Sequence, residues 1–310
     1  MKRVQFVRYG GPEHMSFGNY SLPALEPGRV RVRVKVAALN PLDWKIRRGA
    51  MRIVTGRKFP QGMGSDFAGV VEAVGAQVKD YRVGDEVFGT LEIKRQGAFA
   101  EWVDADARLI ARKPAALSFS EAACLPIPSA TAWAAIVDKA KVGRGSRVFI
   151  HGASGAVGRS AMQLALARGA EVVVASSERT RDQFSGLGLK AVCLYGDSAA
   201  FVANGPYDAV FDTLGSLPVA EGVALLNAHG CFLDINPTPG RIFRGLISRR
   251  YTMVFATAGF KNLAEISKAA ADGKLRPSIG EQVPFGEALT AIRTAEQGER
   301  PVGRVVLMLS

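Results

Sequence analysis

From Ser146 to Ser177 the chain reads SRVFIHGASGAVGRSAMQLALARGAEVVVASS. An apolar run, a glycine-rich turn, a helical stretch and a second apolar run follow one another within about thirty residues, which is the span of a βαβ unit. Gly152, Gly155 and Gly158 are spaced three apart. Small residues there, with Ser154, Ala156 and Val157 completing the turn, let a backbone approach a phosphate closely. The helix expected to begin near Val157 aims its N–H groups and positive dipole end at the same place. Apolar side chains at Val157, Ala161, Met162, Leu164, Ala165 and Leu166 give that helix a buried face, and Gly169 stops it. Glycines also mark ordinary strand-to-helix turns; the strand and helix on either side favour a dinucleotide site.

The end of the second strand bears on which dinucleotide. A carboxylate there would accept from ribose hydroxyls and repel a 2′-phosphate. Glu171 precedes VVV and therefore belongs to the wrong end of the strand. The strand ends Ala175-Ser176-Ser177, and Glu178 beyond it is flanked by Arg179 and Arg181. Hydroxyls and guanidinium groups outnumber the carboxylate, which favours NADPH over NADH. A solvated SSERTRD loop is the plainer alternative.

The rest of the chain divides around this unit. Its 310 residues suggest two domains with a cleft between them. The first part reads as short strands broken by glycine-containing turns: RVQFVRYG, RVRVRVKVAALN, GVVEAVGAQV, GDEVFGTL and GAFAEWVDAD. In residues 30 to 36 Val alternates with Arg or Lys, the period of a strand with one buried face. An antiparallel, partly closed β-fold is expected here. From Ser120, helical stretches (EAACLP, TAWAAIVDKAKV) give way to near-continuous apolar strands: SRVFIHG, EVVVASS, AVCLYG, YDAVFDTLG, CFLDINP and YTMVFAT. Such strands suit a doubly wound parallel sheet buried on both faces. The tail ends in another strand, GRVVLML, which could rejoin the first domain. The expected division is 1–119 with 265–310 as one domain and 120–264 as the other.

Composition removes several classes. Hydrophobic residues at 48% and charged residues at 22% are ordinary for a globular chain. No apolar run approaches the roughly 18 residues of a membrane span, and MKRVQFVRYGG does not make a signal peptide, so a cytoplasmic protein without a membrane partner is expected. Cys124, Cys193 and Cys231 lie far apart with no Cys-x-x-Cys pair and read as small apolar residues. With only His14, His151 and His229 besides, soft metal ligands are few and no metal is expected. His151, just before the glycine turn, reads as a packing or backbone-bonding residue. No carboxylate–histidine–serine arrangement supports a hydrolase. The formal charge of +12 admits a nucleic-acid partner. Yet the basic residues are dispersed, the densest groups being Lys45, Arg47, Arg48 and Arg241, Arg244, Arg249, Arg250, and no nucleic-acid module accompanies them. An anionic cofactor and a solvated basic face account for the charge. A cofactor-binding regulatory or RNA-binding protein is the competing class.

Several segments then resemble one family. GSDFAGVVEAVGAQVKDYRVGDEVFG at 64–89, GAFAEWV at 97–103 and HGASGAVG at 151–158 are similar to the zeta-crystallin-like quinone oxidoreductase branch of the medium-chain dehydrogenase/reductase superfamily. So are AACLPIPSATAW at 122–133, FDTLG at 211–215, DINPTP at 234–239 and the closing VGRVVLML. The resemblance implies a GroES-like β-domain, discontinuous in sequence, plus a Rossmann domain, and a homodimer. In zinc alcohol dehydrogenases of the superfamily a Cys falls near Asn40 and Gly-His-Glu replaces Gly64-Ser65-Asp66. This chain has neither ligand, nor the four-cysteine lobe of their structural zinc. Without a Lewis acid, hydride delivery to an electrophilic acceptor, a quinone or an α,β-unsaturated carbonyl, becomes the expected chemistry.

The resemblance also implies site residues. Asn40, Asp43 and Lys45 of LNPLDWKIRRG line up beside the expected nicotinamide, with Asn40 and Lys45 orienting the acceptor oxygen. The alternative is an Asp43–Lys45 ion pair and a turn fixed by Asn40 before Pro41. Thr131 is implied near the nicotinamide ribose and Tyr195 near the adenosine phosphate. Gly215, Asn236 and Thr257 follow strands whose carboxyl ends face the cofactor crevice, although each could equally serve its turn. The arginine-rich PTPGRIFRGLISRRY suits either an anionic substrate or solvent.

Overall fold

The computed structural model describes every residue except 237, 239, 242, 244–247, 299, 300 and 310. It divides into two compact units. One comprises Met1–Ile127, Leu263–Ala271 and Pro277–Ser310; the other comprises Pro128–Asn262 and Asp272–Arg276.

The first unit is built on β1 (Lys2–Phe6), β2 (Met15–Asn19), β3 (Arg29–Ala38), β4 (Gln61–Gly62), β5 (Asp66–Val74), β6 (Glu86–Thr90), β7 (Trp102–Asp106) and β8 (Ile110–Arg112). Short helices α1 (Pro41–Arg47) and α2 (Arg52–Thr55) follow β3, and α3 (Phe119–Ala123) follows β8. Strand β3 shows the alternation the sequence predicts: Val30, Val32, Val34 and Val36 are buried, while Arg31, Arg33 and Lys35 are half-buried. The outward arginines pair across strands. Arg31 lies opposite Asp104 of β7 and bonds it at 2.8 Å, and Arg33 meets Glu72 of β5 at 2.8 Å. Opposite charges facing one another add a few tenths to about 1 kcal/mol each. Val30, Val32 and Val34 join Phe67, Phe99, Met63 and Phe6 in one apolar core.

Helix α4 (Pro126–Trp133) has its first two residues in the first unit and the rest in the second, where it runs into a π-helical turn at Ala134–Lys139. Then come β9 (Arg147–His151), α5 (Ala156–Ala167), β10 (Glu171–Ser176), β11 (Ala191–Leu194), α6 (Ser198–Ala203), β12 (Tyr207–Asp212), α7 (Val219–Ala224), β13 (Leu226–Asp234) and β14 (Tyr251–Met253). The six strands are all parallel and stand in the order β11-β10-β9-β12-β13-β14. That is the Rossmann order, whose direction reverses between β9 and β12, so ligands are expected beyond the carboxyl ends of those two strands. Phe149, Phe201, Tyr207 and Phe232 form the aromatic part of its core.

The last part of the chain returns to the first unit through α8 (Leu263–Ala271), β15 (Ile279–Pro284), α9 (Ala288–Glu296) and β16 (Arg304–Met308). Strand β16 pairs antiparallel with β3 and parallel with β15. The expected antiparallel fold therefore includes one parallel pair, because α9 crosses over between β15 and β16. Arg47 at the end of α1 is wholly buried and forms an ion pair with Glu296 at the end of α9, whose side chain is buried too. The three cysteines are unbridged, with Cys124 and Cys193 buried and Cys231 half-buried. Among the described residues no helix is long and apolar enough to cross a membrane.

Breaking a buried pair from one side strands a charge away from water. Glu296→Ala is therefore expected to cost about 3–5 kcal/mol, read as a lower urea midpoint, whereas Arg47→Met with Glu296→Leu recovers most of it. An unshifted midpoint in the single variant would show that the pair contributes nothing.

Candidate active site

In the second unit the turn after β9 places its glycines where side chains cannot fit. Gly152 has φ +95°, and a Cβ there would sit 2.4 Å from Thr213 Oγ1. A Cβ on Gly158 would sit 2.3 Å from the Gly152 carbonyl oxygen. Gly155, at the N-cap of α5, has only the Gly152 oxygen within 4 Å of such an atom, at 3.5 Å, so the turn is open there. No side chain caps α5, and the N–H groups of its first turn have no acceptor within the helix. A glycine cradle facing an uncapped helix N-terminus fits a pyrophosphate.

Residues from neighbouring strands converge on this turn. Thr213 donates through Oγ1 to the His151 carbonyl at 2.9 Å, and Asn236 Nδ2 donates to the Thr213 carbonyl at 3.1 Å. Gly215 has φ +79°, and a Cβ on it would lie 2.8 Å from Cβ of Asn236. The Tyr195 N–H donates to the Ser176 carbonyl at 3.0 Å, and its ring meets His151 edge-on with centroids 5.0 Å apart. Burial pushes the Tyr195 phenol above its usual pKa, partly offset by the Ser154 hydroxyl. Ser176 is buried, Ser177 shares a 3.0 Å hydrogen bond with Thr180, and Glu178 and Arg179 are exposed. Glu171 stands at the other end of β10, held by Arg147 at 3.0 Å and Lys190 at 2.7 Å. Thr131 is buried on α4, and Thr257 is exposed on the turn 256–258. Arg244, with Pro237 and Pro239 of DINPTP, lies outside the described residues.

The sequence reading missed a charge knot at the carboxyl ends of β12 and β13. Asp212 and Asp234 are fully buried and share one guanidinium. Arg241 donates from NH2 to Asp212 at 2.8 Å and from Nε to Asp234 at 2.6 Å. Its NH1 donates to the Gly215 and Leu217 carbonyls, each at 2.9 Å. Asp212 also accepts the N–H groups of Leu214, Gly215 and Leu217 and lies 3.2 Å from His151 Nδ1. Burial raises the Asp212 pKa, but the His151 contact and the backbone N–H groups outweigh it and hold the carboxyl below its usual value. A signal was present: two apolar strands each end in Asp, and buried carboxylates require a cation.

In the first unit, β3 runs out at Ala38 and Pro41 starts α1, which leaves Asn40 as its N-cap. The Asn40 N–H donates to Asp43 Oδ2 at 2.7 Å, and its side-chain amide donates to Asp66 Oδ2 at 3.0 Å. Asp43 Oδ1 accepts from the Ser65 hydroxyl at 2.9 Å, and Ser65 accepts from Gln96 Nε2 at 2.6 Å. Asp66 also accepts the Ile127 N–H at 3.2 Å and has Arg304 at 3.8 Å. Asn40 and Asp43 are thus brought together. Lys45, two residues further along α1, is exposed, because residues two apart on a helix point to opposite sides. Burial pushes the Asp43 carboxyl up to about 7, offset in part by the bonds from Asn40 and Ser65. It pushes Asp66 up to about 6 against the pull of Arg304 and Asn40. Among the described residues no group of three or more His, Cys, Asp or Glu is placed to hold a metal ion.

A Rossmann sheet carrying a glycine cradle, in a chain that also holds a β-unit of this topology, defines an oxidoreductase of the medium-chain dehydrogenase/reductase class, whose members use a nicotinamide cofactor. Residues 26–115 match the alcohol dehydrogenase GroES-like domain family, and 187–307 match the zinc-binding dehydrogenase family. A chloroplastic quinone-oxidoreductase homolog of Spinacia oleracea is 32% identical over 249 residues, covering 77% of this chain and 76% of that protein. The structure of the quinone oxidoreductase from Coxiella burnetii is similar at TM-score 0.89 and 30% identity, covering 100% of this chain and 99% of that one. A 2-methylene-furan-3-one reductase of Solanum lycopersicum is 29% identical, covering 99% of this chain and 79% of that protein. The chain also matches a mycocerosic acid synthase-like polyketide synthase of Mycobacterium tuberculosis at 30% identity, spanning 15% of its length. The chain belongs to the zeta-crystallin-like quinone oxidoreductase branch of the medium-chain dehydrogenase/reductase superfamily.

Both buried carboxyls have folded pKa values above the unfolded value of 3.8. The folded chain therefore keeps protons that the unfolded chain has released, and the associated stability is full below the unfolded value and lost as pH rises through about 6 and about 7. Asp43→Asn should flatten this fall, measured as thermal midpoints across the interval from about pH 4 to pH 8. A variant with the wild-type pH slope would show that Asp43 does not contribute to it.

Proposed function

We propose that this chain is an NADPH-dependent reductase that delivers hydride to a quinone without zinc, acting as a cytoplasmic homodimer. The observation that carries the reading is the set of groups where zinc dehydrogenases place ligands. Here an amide, a hydroxyl and a carboxylate, Asn40, Ser65 and Asp66, are bound within one buried hydrogen-bond network. An amide and a hydroxyl are not usual zinc ligands, and the one carboxylate, Asp66, is already engaged by Asn40, the Ile127 N–H and Arg304.

Bound NADPH supplies the hydride. For the chain's own residues, Gly152, Gly155 and Gly158 admit the pyrophosphate, and the first turn of α5 donates to it. Ser176, Ser177 and Arg179 supply donors for the 2′-phosphate. Gly215, Asn236, Tyr195, Thr131 and Thr257 complete the cofactor's surroundings. One N–H of the Asn40 amide is spent on Asp66, whereas the other, among the described residues, has the Ala38 carbonyl at 3.4 Å. An acceptor oxygen can compete for so weak a bond. Asn40 then orients that oxygen, and Lys45 adds positive charge as negative charge grows on it. Asp43 positions Asn40 through its backbone N–H, and water returns the proton.

The same arrangement serves an α,β-unsaturated carbonyl, whose oxygen gains charge in the same way; the likeness to the tomato reductase favours this second reading. Strands β11 and β14 are the edges of the parallel sheet, and an edge strand offers the unpaired backbone that a two-fold partner can use.

Fluorescence titration is expected to give tighter binding of NADPH than of NADH, and 9,10-phenanthrenequinone should drive NADPH oxidation. Turnover of a short enone alone would select the second reading. Asn40→Ala and Lys45→Ala should each lower kcat/KM, by up to roughly a hundredfold for a lost charge-stabilising donor. Intact turnover in both would remove them from the mechanism.

A further inference from the structure

Arg159 stands one turn into α5, immediately after the last glycine of the cradle. Its side chain is half-buried, and its guanidinium donates to the neutral Gln183 amide oxygen at 3.4 Å. Among the described residues it pairs with no carboxylate. Burial accordingly holds its pKa below the usual arginine value. This is an unfavourable place for a cation, since the positive end of the helix dipole is close by and water is partly excluded. By contrast, the buried or half-buried Arg29, Arg31, Arg47 and Arg241 each meet a carboxylate, and the half-buried Arg3 and Arg250, which meet none, donate to backbone carbonyls instead. A half-buried guanidinium left, among the described residues, with neither is suited to an anion that arrives with a ligand.

The location narrows which anion. Gln183 belongs to the turn Glu178–Phe184 that directly follows the carboxyl end of β10. That strand end reads the 2′ position of the adenosine ribose, whereas the pyrophosphate is expected at the first N–H groups of α5. Arg159 therefore reaches away from the pyrophosphate and toward the 2′ position. Arg179 and Arg181, on the same turn, are exposed, so salt and water screen them more than they screen Arg159.

We propose that Arg159, steadied by Gln183, is a specificity-determining residue that binds the 2′-phosphate of NADPH. The proposal rests on the NADPH reading above and assigns its selectivity to a residue outside the strand-end Ser-Ser-Glu-Arg segment. A guanidinium can meet a phosphate with two parallel N–H bonds, and an ammonium cannot.

The protein would be titrated with NADPH, NADH and 2′,5′-ADP by fluorescence and competition. Arg159→Gln is expected to raise the Kd of NADPH and of 2′,5′-ADP by roughly ten- to a hundredfold, the worth of a charge-assisted hydrogen bond. The NADH Kd should stay unchanged, which also reports an intact fold. Arg159→Lys should fall between wild type and Arg159→Gln. Gln183→Glu, which nearly keeps the shape and supplies Arg159 with a competing carboxylate, should weaken NADPH without weakening NADH. Equal losses for NADPH and NADH in both the Arg159→Gln and Gln183→Glu proteins would place Arg159 on the pyrophosphate and overturn the proposal. Unchanged NADPH binding in both would also overturn it while leaving wild-type NADPH preference intact. A wild type that prefers NADH would overturn this inference and the NADPH reading together.

Discussion

The second unit turns on a single guanidinium. Arg241 reaches two wholly buried carboxylates and two backbone carbonyls at the carboxyl ends of adjacent strands. Without it, Asp212 and Asp234 would be anions in a nearly dry setting, at a cost of several kcal/mol each. Asp212 in turn gathers the N–H groups of residues 214, 215 and 217. That bend sets the path of the chain through Thr213 and Gly215, and Thr213 anchors the end of β9 from which the glycine turn departs. The shape of the crevice thus depends on an electrostatic knot that reaches the glycine turn through Thr213, Leu214 and His151.

Much of the fold was legible because two different periodicities mark it. The Val-Arg alternation of β3 declares one wet and one dry face, and the unbroken VVV of β10 declares two dry ones. The glycine turn was legible because its spacing answers to sterics: a side chain at 152 or 158 would collide with Thr213 or with the Gly152 carbonyl. What was not legible depends on tertiary neighbours. Asp43 and Lys45 look alike as candidates in a string of letters, but the turn of α1 buries one and exposes the other. Arg241 sits in a run of basic residues that reads equally well as solvated surface, and only the fold shows which cation is taken inside. Asp66, at the head of the apolar stretch DFAGVV, has no local mark of its role. Its partners come from the N-cap of α1, the start of β16 and the first turn of α4.

The first unit handles buried charge differently. Asp43 and Asp66 sit in a polar cluster of Asn40, Ser65 and Gln96, with a single arginine at 3.8 Å. Burial wins there and pushes both carboxyls upward, whereas at Asp212 burial is outweighed by the His151 contact and the backbone N–H groups, which hold that carboxyl down. A proton on either carboxyl removes its buried charge, and the network has the amides and hydroxyls needed to accommodate either charge state.

The closure of β16 onto β3 joins Val306 to Ala38, and Arg47 reaches Glu296 across 249 positions. A chain emerging from the ribosome has its parallel sheet complete while the first strands still lack their final neighbour. The dinucleotide-type unit can therefore be ordered during synthesis, and the β-unit must wait for its last strand before β3 is paired along its whole length. Until then β3 presents an unpaired apolar edge at Val36, Ala37 and Ala38, a surface open to chaperones or to self-association. Non-local pairing of this kind slows folding. The protein's vulnerability during biosynthesis thus lies in the half made first.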